Sequence, residues 1–299
     1  MSDFILSIEG TQTGHYVALA LALWAAFMHA LFGALQKGSI DPWVSRGVID
    51  FGYLTLSIPF LFLVPWPEAH MWPIFGGMVV VHFIYKWLQA KTYERGAYTV
   101  VYPVVRGLGP LFAVIGAYVI FGERFNLIQW SGVALLLGGI FGLSAYNAHK
   151  LEVGRDTLKM ALIYASATGL FVAIYTTYDA YGIRASADPF TFLVWFFFLD
   201  GLNFLPIAYM KFRQLETRPR LKAMFWKSVA GGITAPLSFG AIMLATRIGN
   251  VGEAAVLRET STVFAALIGW LVLGERVGPR RLALMTLIAA GAVVVELGG

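Results

Sequence analysis

The sequence predicts an all-α membrane protein whose ten transmembrane helices form two inverted sets of five. Three observations predict it. Hydrophobic residues make up 58% of the 299 residues and charged residues only 13%, against roughly 25% charged in ordinary soluble domains. The apolar residues fall into ten stretches near the ~20 residues that a helix needs to cross hydrocarbon. The chain also matches itself at an offset of 152 residues.

The candidate spans are 16–36, 44–64, 71–90, 96–121, 127–147, 160–178, 190–210, 228–246, 254–273 and 282–297. Turn-like connections separate them at 38–42, 65–68 and 186–189. Most spans are apolar on every face, with Gly, Ala and Ser interspersed, as helices packed closely in a bilayer require. A soluble bundle would give each helix a polar face. The start, 1–14, is polar and acidic without a basic segment, so no cleavable leader is expected there. Cysteine is absent, which excludes disulfides and thiolate metal sites.

The net charge of +5 is a topology signal rather than a nucleic-acid footprint. Of the 22 Lys and Arg, only Arg124, Arg184 and Arg247 fall in loops on one side, and Lys86, Arg106 and Arg258 lie within spans. The remaining 16 fall on the other side, including the run at 211–227, which reads as a solvated loop. This bias places both termini outside a bacterial-type inner membrane, in the periplasm, with the basic loops in the cytoplasm.

In the repeat, Arg95, Val104, Arg106, Phe112, Ala113, Gly122, Glu123 and Arg124 fall on Arg247, Val256, Arg258, Phe264, Ala265, Gly274, Glu275 and Arg276. Matching Val and Ala means little in an apolar chain. Matching arginines together with an identical Gly-Glu-Arg mean a duplication, dividing the chain into 1–148 and 149–299. A unit of five helices is odd, so the second copy enters the membrane inverted. Inverted repeats are a usual basis of alternating access. Ten helices in two halves, with fourth helices ending Phe-Gly-Glu (121–123) and Leu-Gly-Glu (273–275), resemble the EamA-type branch of the drug/metabolite transporter superfamily. The resemblance covers nearly the whole chain. It implies a central cavity between the halves, lined mainly by helices one, three, four, six, eight and nine. It also implies transport of a small metabolite or drug.

Ionisable groups deep in a span are costly and are functional candidates by default. Arg106 lies mid-span on one helical face with Tyr98 and Tyr102. Pro103 and the run Gly107, Leu108, Gly109, Pro110 around it predict a bend that would free carbonyls. Its planar fork suits a carboxylate or phosphate; the structural alternative is an ion pair with an acid elsewhere. Arg258 is its repeat partner. Glu259 follows, pointing about 100° away, and suits either proton coupling or the counter-charge of Arg106. His82, Tyr85 and Lys86 share a face of the third span; Lys86 could instead snorkel to the cytoplasmic surface. His29, amid aromatics in the first span, suits packing as well as a site. Asp200 in the seventh span is a third proton-coupling candidate beside Glu259 and His82. Asp50, four residues after Arg46, reads as a local ion pair. Asp179 and Arg184 read as the outer end of the sixth span. Tyr175 belongs to a tyrosine-rich face there, beside the cationic residues.

No catalytic motif, metal cluster, P-loop or dinucleotide turn appears, so neither catalysis nor a cofactor is expected. With no nucleotide-binding domain in the chain, transport would be facilitated, exchanging or ion-coupled. Lys86, Arg106 and Arg258 point to a small zwitterionic or anionic metabolite, of the amino acid or organic phosphate or phosphonate class. Glu259, Asp200 and the tyrosines motivate the alternative, export of lipophilic or cationic compounds; a membrane-embedded transferase is a remote one. The expected partners are a small-molecule substrate, the lipid bilayer and a coupling proton or counter-substrate. Two fused halves remove the need for a dimer, so a monomer is expected.

Overall fold

The computed structural model describes residues 2–36, 40–95, 98–148, 155–271 and 278–299, and among them the regular structure is helical, without strands. A short helix α1 (Ser2–Ile8) precedes α2 (Gln12–Gln36), α3 (Pro42–Leu61), α4 (Met71–Arg95), α5 (Tyr98–Phe121) and α6 (Leu127–Ala148). Then come α7 (Arg155–Ala185), α8 (Pro189–Asn203), α9 (Leu205–Gln214) and α10 (Leu221–Ala235). A π-turn (Pro236–Gly240) joins α10 to α11 (Ala241–Ile248), followed by α12 (Val251–Arg258), α13 (Ser261–Leu271) and α14 (Pro279–Leu297). Six described segments are long and apolar enough to cross a bilayer: Gln12–Gly33, Met71–Arg95, Val104–Phe121, Lys159–Ala185, Pro189–Gln214 and Leu221–Ile248. Shorter apolar helices, Leu127–Leu143 and Leu282–Leu297, accompany them. The chain is a multi-pass membrane protein.

Local chemistry sets the helix ends. Asp41 accepts hydrogen bonds from Trp43 N and Val44 N at the start of α3, with Pro42 at the first helical position. Asp188 does the same for α8 through Thr191 N, ahead of Pro189. At the end of α5, Gly122 adopts a left-handed φ of 71°, the conformation glycine supplies at helix C-termini. The chain then turns so that Glu123 accepts from Val251 N and Gly252 N, each at 2.9 Å. The Gly-Glu pair thus ends one helix and caps α12 in the other half. Its second copy, 274–275, lies outside the described residues.

Four expected spans differ in form, the seventh by a turn at Phe204 between α8 and α9. The sixth extends to Ala185, because Asp179 and Arg184 find partners inside the bundle. The eighth starts earlier, at Leu221, and carries the π-turn at Pro236. The ninth is broken between Arg258 and Ser261. Around Arg106, where a bend was expected, α5 keeps its helical assignment through Pro103 and Pro110. A proline removes one backbone donor, a loss that membrane helices tolerate where neighbours compensate. The break falls in the second-half counterpart instead. There Glu259 N and Thr260 N bond three residues back, to Val256 and Leu257, and side chains take up the freed carbonyls.

The helices pack reciprocally. α5 and α4 of the first half lie on α7, and α12 and α11 of the second lie on α2, the corresponding helix. α6 pairs with α14, and α3 with α8. The α6–α14 crossing is close because Gly132 and Gly291 meet there: a Cβ on Gly291 would stand 2.6 Å from the Gly132 carbonyl oxygen. At the end of the bundle beside Glu123, Arg184 donates to the Thr246 and Gly249 carbonyls and Arg247 to that of Ile183. Each arginine thereby satisfies carbonyls at the C-terminus of the helix that bears the other.

Candidate functional site

Polar side chains gather at the centre of the bundle in two groups. α3, α4, α7 and α8 build the first. Lys86 is wholly buried, and its Nζ lies 2.8 Å from carboxylate oxygens of both Asp50 and Asp200. It also donates to the Asp200 carbonyl at 2.7 Å and the Tyr53 hydroxyl at 3.1 Å. The Tyr53 hydroxyl sits 2.7 Å from Asp50 and 2.6 Å from Asp200. Arg46 Nε completes the Asp50 shell at 2.9 Å. Snorkelling is thus excluded for Lys86; two carboxylates hold it in place. One residue turn along α4, His82 places Nε2 3.0 Å from Asp179 Oδ2 and Nδ1 3.5 Å from Asp200 Oδ1. Tyr85 packs its ring on Tyr175 and accepts a hydrogen bond from Gln89.

α2, α5, the π-turn and the broken helix α12–α13 build the second group. Arg106 Nε lies 2.8 Å from Glu259 Oε2. Its Nη2 donates to Ser261 Oγ at 2.7 Å and to the Arg258 carbonyl at 3.3 Å. Its Nη1 meets His29 Nε2 at 3.1 Å. Arginine only donates, so His29 Nε2 accepts and the proton of a neutral ring sits on Nδ1. That nitrogen faces Ser238 Oγ at 3.4 Å, which donates on to the Ala25 carbonyl. The repeat-related arginines are therefore joined: Arg106 fills a carbonyl that the break at Arg258 exposes. Glu259 is the counter-charge of Arg106, as one reading of the sequence had it.

Arg258 differs from the other buried cations. Its Nη2 donates weakly to Tyr175 OH at 3.3 Å and its guanidinium lies 6.0 Å from the Phe239 ring. Its Nε is buried without a hydrogen-bond partner, as is the Thr176 hydroxyl. Both residues line a small cavity with Tyr175, Asp179, Phe239 and Thr246. A second cavity is walled by Tyr53, His82, Tyr85, Phe197, Asp200 and Phe239. Each has about 10 Å³ of free space, enough for about one water molecule. Phe239, carried on the π-turn, stands between the two, and single-turn π segments frequently occur at functional sites.

Four Lys or Arg meet four acids in the two central groups, while Glu253 is buried apart from them against Gln129. Arg46, Lys86, Arg106 and Arg258 face Asp50, Asp179, Asp200 and Glu259, all under a tenth exposed. Charges buried in apolar surroundings persist when paired and hydrogen-bonded. Of the residues singled out in the sequence, the structure brings together Arg106, Arg258, Glu259, His29, His82, Tyr85, Lys86, Asp200 and Tyr175. The side chains of Tyr98 and Tyr102 lie outside the described residues. Sequence reasoning missed Asp179 as a central group, along with Tyr53, Thr176, Ser238, Phe239 and Ser261. Only Asp179 carried a signal: with α7 running on past Tyr178, its charge falls inside the membrane.

An apolar helical bundle with buried polar groups at its centre defines a polytopic membrane protein. The model of the EamA-like transporter family matches residues 16–145 and again 159–297, so the chain belongs to that family and is a membrane transporter of the drug/metabolite transporter type. A solved structure, described as "Crystal structure of protein", shares the fold at a TM-score of 0.75, with 17% identity, over 95% of this chain and 98% of that one. An uncharacterized protein, y4nH of Sinorhizobium fredii, is 38% identical over 77 residues, 26% of this chain. The chain spans 66% of that relative's length.

Proposed function

We propose that this chain is an alternating-access carrier of a small zwitterionic metabolite, not driven by ATP. It has ten transmembrane helices in two inverted five-helix repeats around a central cavity. The reciprocal packing of the halves and the 152-residue offset support the inverted pair. The basic-loop bias supports an inner membrane with both termini in the periplasm.

One observation carries the substrate class. Arg258, with an unpartnered Nε, and Asp179 line the same cavity, with the Thr176 hydroxyl also unpartnered beside them. A carboxylate, sulfonate or phosphonate would take Arg258 and Thr176, and an ammonium would take Asp179. Such a ligand itself brings no net charge into the core. A purely anionic or purely cationic substrate would leave one pole of the site unmatched, which disfavours the export of cations. Phe239 would have to move, since neither cavity admits a ligand as it stands.

The test is a thermal-shift screen of purified protein against amino acids, taurine and 2-aminoethylphosphonate, followed by uptake of the stabilising compounds into proteoliposomes. A bound ligand raises the melting temperature. A hydrogen bond to a charged group contributes about 1.5–3 kcal/mol, so Arg258→Gln raises KM roughly ten- to hundredfold with little change in unliganded stability. Unaltered uptake by Arg258→Gln would remove this residue from the site.

A further inference from the structure

His82 has a carboxylate at each ring nitrogen: Asp179 at 3.0 Å from Nε2 and Asp200 at 3.5 Å from Nδ1. A neutral imidazole has a single N–H, so one nitrogen would turn a lone pair towards a carboxylate oxygen. The imidazolium alone has an N–H for each side. The Asp200 contact at 3.5 Å is electrostatic rather than a hydrogen bond, and with His82 only 3% exposed solvent does little to screen it. Asp200 is already bound by Lys86 and faces Tyr53, so it is fixed in place. Asp179 has His82 as its only ion-pair partner among the described residues, and it also forms a wall of the Arg258 cavity.

Asp179 therefore serves two cations, the His82 imidazolium and the ammonium of a bound zwitterion. We propose that they exclude each other, and that the carrier exchanges one proton held on His82 for one zwitterion. This rests on the reading of the Asp179–Arg258 cavity as the substrate site. The substrate's ammonium takes Asp179, and His82 releases its Nε2 proton to the side to which the cavity is open. On the opposite side the substrate leaves and His82 takes up a proton. The titratable and charged groups around His82 are Asp179 and Tyr175 from α7, Asp200 from α8, Tyr85 and Lys86 from its own helix, Arg46, Asp50 and Tyr53 from α3, and Arg258 from α12. Glu259 is held by Arg106 in the other group.

The experiment uses the full chain in proteoliposomes, with whichever of the amino acids, taurine or 2-aminoethylphosphonate is taken up fastest. Counterflow at equal pH on both sides reads the substrate site alone. Uptake driven by an acidic lumen reads the coupling, and a trapped pH dye reads proton flux. The wild type should show counterflow, accumulate substrate severalfold above equilibrium when the lumen is acidic, and alkalinise the lumen during uptake. His82→Gln should lose both the accumulation and the dye signal. Counterflow in the wild type combined with no lumenal pH change during net uptake, or acidification of the lumen on net uptake, overturns the coupling alone. Absence of counterflow for every compound overturns the substrate reading and the coupling with it. If His82→Gln does not fold, the wild-type dye signal decides.

Discussion

Arg106 and Arg258 occupy equivalent places in the two halves and do different things. Arg106 is a strut: it holds Glu259, Ser261, His29 and a backbone carbonyl at the break in the ninth span. Arg258 retains donor capacity and faces a cavity. Depth in a span made both visible in the sequence, but their division of labour depends on which acid lies across the bundle, and no local pattern records that. Asp179 shows the opposite failure: a hydropathy window that closes at Tyr178 placed it at a boundary, whereas α7 continues to Ala185. Tyr53 and Thr176 gave no signal, because a lone hydroxyl is equally at home on a packing face. Removing one member of a buried ion pair strands its partner and costs about 3–5 kcal/mol. Lys86→Met should therefore lower detergent-solubilised stability by that order, seen as a large fall in melting temperature. Arg106→Ala should likewise lose both stability and uptake.

Among the elements, the α12 start and the π-turn position the site most directly. Glu123 reaches from the end of α5 to cap α12, whose last residue is Arg258. Losing a capping side chain costs about 1 kcal/mol, so Glu123→Ala should reduce stability modestly in a thermal melt while weakening substrate affinity. Phe239 separates the two cavities, and Phe239→Ala should join them. Competition assays should then show bulkier amino acids inhibiting uptake in this variant and not in the wild type. The membrane class and the positions of the long apolar helices were legible because hydropathy is additive along the chain. The interruptions were not. Prolines and glycines around Arg106 pointed to a bend in α5, yet the break formed at Glu259 and Thr260, where arginine and threonine side chains satisfy the carbonyls.

For the whole molecule, two matched halves let the same contacts form twice, α5 and α4 on α7 and α12 and α11 on α2. On the proposed inverted relation of the halves, the bundle would have two related packings, the geometry that alternating access requires. The α6–α14 pair stands apart from this exchange and is held by the Gly132–Gly291 contact. Gly291→Val would force the pair apart and should lower stability by about 1–3 kcal/mol or more. The absence of cysteine makes orientation directly measurable. In intact cells a membrane-impermeant thiol reagent should label Ser7→Cys, and should label Glu216→Cys only after permeabilisation. The reverse pattern would invert the topology.

The most direct measurement of what the site carries is proteoliposome counterflow with three matched compounds: alanine, its decarboxylated amine and its deaminated acid. A cavity bounded by Asp179 and Arg258 predicts that alanine or a related small zwitterion exchanges and that both truncated forms fail, since each leaves one buried charge unmatched. Exchange of the amine or the acid at the rate of the zwitterion would contradict the pairing of those two residues across the substrate.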